Sequence, residues 1–276
     1  MLNEMKRLLF LLLMSGSLAW AGIEPYPGAG ARAIGLGYAY TGVRGDWGAV
    51  FFNPAGITGV DGPVAGLYFE QRFMLRELTY GSAGVVFPWA EGEQALGLEL
   101  RSFGFDAFRQ NQIGLAYGIT LLERISLGVK AKYANLNIQD HGTAGVFLVD
   151  AGLHVQVNEQ VSVGFTGQNL NRAPVRTTLG GVEQTPTVVQ VGLVYQPTDE
   201  LLLSVDLIKE EAYGPTFRGG VEYRIGGLLY ARLGVGTTPL LLTGGLGLAW
   251  QGLQLDLAYS YTEQFSSPHL SLSYAF

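Results

Sequence analysis

The sequence predicts an all-β fold: a transmembrane antiparallel β-barrel of about fourteen strands, with an N-terminal segment plugging or crossing the lumen. Three observations predict it. The chain opens on an export signal. It is apolar, with 48% hydrophobic and only 14% charged residues, yet no later run is long enough for a spanning helix. From about residue 63 to the end, apolar residues alternate with small or polar ones at a period of two. In a bilayer every backbone amide needs a partner within the protein, and without spanning helices only a closed barrel provides it.

Residues 1–21 read as a signal peptide. Lys6 and Arg7 form the positive start, Leu8 to Met14 the apolar core, and Ala19-Trp20-Ala21 the cleavage site, so the mature chain is expected to begin at Gly22. The apolar core is too short to anchor the chain as a spanning helix. The formal net charge of -6 gives no footprint for nucleic acid, and the lack of cysteine removes disulfides, thiolate metal sites and cysteine nucleophiles together.

Residues 63–276 supply the barrel. The expected strands are 63–73, 77–88, 94–105, 110–121, 125–137, 145–157, 160–170, 186–196, 201–210, 216–225, 229–236, 243–250, 253–262 and 269–276. The stretch "LQLDLAYSY" shows the pattern: Leu253, Leu255, Leu257, Tyr259 and Tyr261 fall on one face, with Gln254, Asp256, Ala258 and Ser260 on the other. Most runs have the length of a tilted membrane strand, and an even count suits a barrel with both ends on one side. Tight connections at 158–160, 197–200, 226–227 and 251–252 alternate with expected longer loops, notably 137–144 and 171–185.

The faces opposite the apolar stripes carry Glu99, Arg101, Lys130, Lys132, Asp150, Asp206, Arg218, Glu222, Arg224, Arg232 and Asp256, six cations and five anions. Each would cost a few kcal/mol in hydrocarbon, whereas in a lumen they can pair. A balanced set reads as internal scaffolding, since an ion-selective pore would show a ring of one sign. The chain ends "HLSLSYAF", which places Leu270, Leu272, Tyr274 and Phe276 on the lipid face. This last strand must close the ring, because an unpaired edge in lipid is prohibitive. Its aromatic end resembles the signal read by outer-membrane assembly machinery.

Residues 22–62 differ, being rich in glycine and small side chains. Gly28-Ala29-Gly30 with Ala33 superficially matches a dinucleotide fingerprint, but no strand or βαβ unit precedes it, so it carries no weight. Within "FFNPAG", Asn53 can cap a turn or short helix, Pro54 suits the first helical position, and Gly56 permits a tight exit before the barrel begins. Trp47, Phe51 and Phe52 are expected to pack.

This stretch resembles the start of the PorV/PorQ family of outer-membrane proteins, within the wider FadL-like superfamily. The likeness rests on Ala31 to Gly37, Ala39 to Gly42, Asp46 and the plug motif Asn53, Pro54, Ala55 and Gly56. It continues through "LVDAGLHVQVNEQVSVGFTGQNL" and on to the C-terminus. The resemblance implies a fourteen-stranded barrel in the outer membrane of a Gram-negative-type bacterium, with residues 22–62 as a plug or hatch. It implies a role in protein secretion or surface assembly, with outer-membrane lipid, the assembly machinery and secretion-complex proteins or cargo as partners. The FadL-like alternative is a transporter of hydrophobic small molecules. The balanced lumen favours the first of these, while the shortness of most outer loops gives neither a large cargo platform nor an extended capture groove.

No enzymatic activity is expected. The histidines are His141, His154 and His269. A hydrolytic triad needs serine, histidine and acid within hydrogen-bond reach. His154 is expected to lack a serine directly opposite it, and Asp150 lies about 13 Å along its strand. No metal-ligand cluster, phosphate loop or cofactor motif is present.

Overall fold

The structure, a computed structural model, describes residues 28–140, 142–176, 182–211, 213–263 and 265–276; the predicted signal peptide lies outside them. Fourteen antiparallel strands close into one barrel: β1 (Val64–Gln71), β2 (Thr79–Trp89), β3 (Gln94–Phe105), β4 (Phe108–Leu121), β5 (Ile125–Ile138), β6 (Gly142–Gln156), β7 (Val161–Gln168), β10 (Val188–Tyr195), β11 (Leu201–Glu210), β12 (Thr216–Ile225), β13 (Leu229–Gly236), β14 (Leu241–Trp250), β15 (Leu253–Thr262) and β16 (Ser266–Ala275). A separate hairpin, β8 (Pro174–Arg176) with β9 (Val182–Gln184), sits in the β7–β10 connection. Each barrel strand pairs with its sequence neighbour. The seam joins β1 to β16, with Leu67 opposite Leu272.

Alternation sets which face is wet. On β15, Leu253, Leu255, Leu257, Tyr259 and Tyr261 are exposed on the outside, while Asp256, Ala258 and Ser260 are buried inside. On β16, Leu270, Leu272, Tyr274 and Phe276 face outward in the same way. The barrel therefore wears an apolar coat that only a bilayer or an amphiphile can cover. Among the described residues no helix is long and apolar enough to cross a membrane, which says nothing of a barrel.

The end that holds the start of β1 and the C-terminus, where Phe276 N donates to Pro63 O at 2.9 Å, is called the inner end here. The loop expected at 137–144 is instead a short connection, because β5 runs on to Ile138 and β6 starts at Gly142. Alternation of apolar and small residues simply continues through that stretch. Most of the other connections at this outer end are equally short; the longest joins β7 to β10 and carries the β8–β9 hairpin.

β6 pairs with β5 along nearly its whole length but with β7 only from Ala151 to Gln156. Its outer portion thus stands above its neighbour. Leu170 N donates to Val149 O at 2.8 Å, Asn171 Oδ1 accepts from Val149 N at 3.1 Å, and Asn171 Nδ2 donates to Phe147 O at 2.8 Å. These bonds satisfy part of an edge that would otherwise be bare. The inner face of this raised portion is apolar: Ala134, Leu136, Val146 and Leu148 pack with Val175 of β8. The hairpin therefore covers the outer mouth of the lumen on that side.

Candidate functional site

The lumen is filled by residues 28–62. Two short helices, α1 (Ala31–Gly35) and α2 (Ala49–Phe52), and a 3-10 turn (Pro54–Ile57) are nearly all buried within it. Elements this short cannot hold themselves together, so wall groups complete their ends. Ala31 N donates to Ser271 Oγ at 3.2 Å. At the other end of the segment, Lys130 Nζ donates to Val50 O at 2.8 Å and Arg101 to Phe51 O at 3.4 Å. These two wall cations occupy the C-terminal carbonyls of α2, which no turn of its own could satisfy.

The middle of the segment hangs on Asp206. Its Oδ2 accepts from Tyr40 N at 3.0 Å, Thr41 N at 3.0 Å and Thr41 Oγ1 at 2.7 Å. Gly42 O accepts from His154 Nε2 at 3.2 Å and Ser162 Oγ at 3.0 Å. The plug motif behaves as a cap: Asn53 Oδ1 accepts from Ala55 N at 3.0 Å with Pro54 at the first position, while Nδ2 donates to Thr41 O and Leu153 O. Gly56 does not provide the exit. It lies inside the turn, where a Cβ would meet Val43 O at 2.7 Å, and the chain leaves through Gly59 at φ +78°.

The wall comes this close because it offers glycine where the segment's backbone passes. A Cβ would sit 2.3 Å from Pro54 at Gly128, 2.0 Å from Asn53 Oδ1 at Gly152, 2.0 Å from Thr41 O at Gly164 and 2.2 Å from Gly37 N at Gly234. Gly192 and Gly220 are equally tight, against Gly42 and Leu36. These inward glycines form a track that seats the segment around the barrel.

Eight of the eleven predicted inward charges sort into two networks. Glu99 contacts Arg101 and Lys130 at 3.1 Å each, and Asp150 contacts Lys130 at 3.3 Å and Lys132 at 2.7 Å. Across the lumen, Arg232 bridges Glu222 (2.5 Å) and Asp256 (2.7 Å). Arg32 of α1 joins Glu222 to Asp46 at 2.7 Å each. Arg218 stacks on Tyr38 with 4.8 Å to the ring centroid, and Arg224 lies on the same face of β12 toward the inner end. Burial alone would lower the Arg32 guanidinium, but Glu222, then Tyr40 and Asp46, hold it above its ordinary value. Burial likewise pushes Tyr40 well above the ordinary phenol value, so its hydroxyl stays protonated and donates to Asp46. Buried charges in such networks tie segment to wall, because removing one strands its partner in a dry site.

A serine does stand opposite His154. Ser126 is its cross-strand partner, contrary to the sequence reading, because the β5–β6 hairpin is tighter than a long 137–144 loop would make it. Ser126 Oγ nonetheless bonds Thr58 Oγ1 at 3.0 Å, and Asp150 is engaged with lysines. His269 lies between Tyr68 OH (2.7 Å) and Ser260 Oγ (2.8 Å), all three buried. Among the described residues no His, Cys, Asp or Glu cluster could hold a metal ion. The sequence reading marked Arg32, Thr41 and Asp46 only as part of a family likeness, with no role of their own, and did not see the glycine track. Its one available signal was a charge standing alone among small residues, as in "ARAIG".

The architecture and its contents define a fold class: a closed, fourteen-stranded antiparallel barrel with an apolar outer coat and an N-terminal segment lodged in the lumen. Solved structures agree with that fold. The toluene transporter TodX of P. putida matches with a TM-score of 0.69 at 12% identity, covering 91% of this chain and 99% of that one. The monoaromatic hydrocarbon channel CymD matches at 0.67 and 14%, covering 92% and 99%. A FadL homologue of Pseudomonas aeruginosa matches at 0.64 and 14%, covering 91% and 99%. At such identities the likeness is one of fold. No protein-family profile and no curated protein sequence matches the chain.

Proposed function

We propose that this protein is an outer-membrane barrel that admits hydrophobic small molecules, and that the N-terminal segment is the element that must shift to let them pass. The observation that carries the reading is the apolar outer mouth. Ala134, Leu136, Val146 and Leu148 face the lumen there, covered by Val175 of the hairpin. An apolar solute meets a surface it can wet, and moving a three-residue strand pair exposes it. The similarity to channels described as carrying toluene and monoaromatic hydrocarbons supports the same reading. The secretion role implied by the PorV/PorQ motifs gains no such support, and the short outer turns offer little surface to a large cargo.

Below the mouth the path meets Glu99, Lys130, Asp150 and the seated segment. Passage therefore requires the Lys130–Val50 and Asp206–Thr41 anchors to part. The test is dye uptake by whole cells with an intact outer leaflet. Expression should speed uptake of an uncharged aromatic dye, and Leu136→Asp with Val146→Asp should abolish the gain. Equal uptake with and without the protein defeats the proposal.

A further inference from the structure

The outer wall over β1–β5 carries a groove of about 700 Å³ on the lipid side. Two ladder rows build it. The lower row reads Leu67, Ala83, Leu100, Ile113, Tyr133 across the five strands, all outward-facing. The row above, nearer the outer end, reads Phe69, Gly81, Ser102, Asn111, Asn135. Gly81 and Ala83 leave a trough beside Phe69 and Leu100. The upper row is polar where a membrane barrel's outer face ordinarily stays apolar or aromatic.

Those polar groups are only partly satisfied within the protein. Ser102 Oγ donates to Asn111 Oδ1 at 2.8 Å, which leaves the Asn111 amide N–H groups without an acceptor among the described residues. Asn135 Oδ1 is buried and has no hydrogen-bond partner among the described residues. At the lip, Arg109 is half exposed, with Asp106 at 3.7 Å as a solvent-facing counter-ion. A bare amide at the edge of hydrocarbon is unfavourable unless something outside the protein completes it.

We propose that this groove holds one glycolipid of the surrounding leaflet, its acyl chain on the Leu67–Tyr133 row and its phosphorylated sugar head on Asn111, Asn135 and Arg109. The chemistry selects the head. Asn135 Oδ1 requires a donor, Asn111 requires an acceptor and Arg109 an anion. Sugar hydroxyls supply both donor and acceptor, and a phosphate supplies the charge. A choline phospholipid offers phosphate and ester oxygens but no donor, so it satisfies at most part of the site.

The full chain, purified in mild detergent, is offered an acylated glucosamine disaccharide monophosphate and phosphatidylcholine, and retained lipid is read by native mass spectrometry. The wild type should retain the glycolipid about tenfold or more over phosphatidylcholine, the scale set by two or three hydrogen bonds. The double variant Asn111→Leu, Asn135→Leu should lose that preference. Gly81→Leu projects into the trough from a Cβ that would meet only Phe69, at 3.8 Å; it should lower retention while keeping the heat-dependent gel shift of a folded barrel. Equal retention of the two lipids by the wild type, or an undiminished preference in folded Gly81→Leu, overturns the proposal.

Discussion

Replacing Gly152 by alanine tests whether the lumen segment is held by close fit. The added methyl would lie 2.0 Å from Asn53 Oδ1 and 3.0 Å from Pro54 Cδ. Backbone lies on both sides, so the relief available is rotation of the Asn53 amide. That breaks the bond from Ala55 N and the two bonds to Thr41 O and Leu153 O. At about 1 kcal/mol net per bond, plus about 1 kcal/mol of residual overpacking, the docked segment loses about 3–4 kcal/mol. The undocked population then rises by about two to three orders of magnitude. Limited proteolysis of the folded barrel reads this as new cleavage between residues 28 and 62, and single-channel recording reads it as opening events. Gly244→Ala is the matched control, since its methyl points outward with its nearest neighbour at 3.9 Å. Wild-type protection in Gly152→Ala, or equal cleavage in the control, refutes the reasoning.

Lys130→Met removes the shared partner of Glu99 and Asp150 and the donor to Val50 O. It should lower stability by about 3–5 kcal/mol in urea titrations of the reconstituted barrel, the scale of a stranded buried charge. Leu257→Arg, on the lipid face midway along β15, should cost about 2–4 kcal/mol by the same titration. Asp206→Asn weakens three bonds at once and should raise cleavage of the lumen segment while the barrel keeps its heat-dependent gel shift. Deleting Phe276, which is 76% exposed and donates only its backbone N–H to Pro63 O, should reduce the amount assembled into membranes in pulse-chase experiments while lowering the stability of what does assemble by only about 1 kcal/mol.

Barrel and strand boundaries were legible because alternation is a local property. β11 (Leu201–Glu210), β12 (Thr216–Ile225), β13 (Leu229–Gly236) and β15 (Leu253–Thr262) fall on the residues the pattern marks. The 137–144 stretch misled because Asn, Gln and Gly there suggest a loop, while pairing with both arms of a hairpin extends the strands past them. The lumen contacts were less legible, since they join residues far apart in sequence. Arg32 meets Glu222 across 190 positions, and Ala31 meets Ser271 across 240. Inward glycines read only as weak strand residues until the backbone they accommodate is seen beside them. The polar outward row at Ser102, Asn111 and Asn135 breaks the apolar pattern at the ends of strands, where alternation says least.

The hydrogen bond from Phe276 to Pro63 ties the last residue of the chain to the start of β1. Residues 28–62 sit on the far side of that knot, gripped by strands from β1 to β16. A segment laid down while the sheet is still an open curl never has to be threaded through a closed ring. The wall then wraps it as a cooper sets staves around a former, and the final strand locks ring and contents in a single act. A chain lacking this segment would have to close around an empty, charged bore.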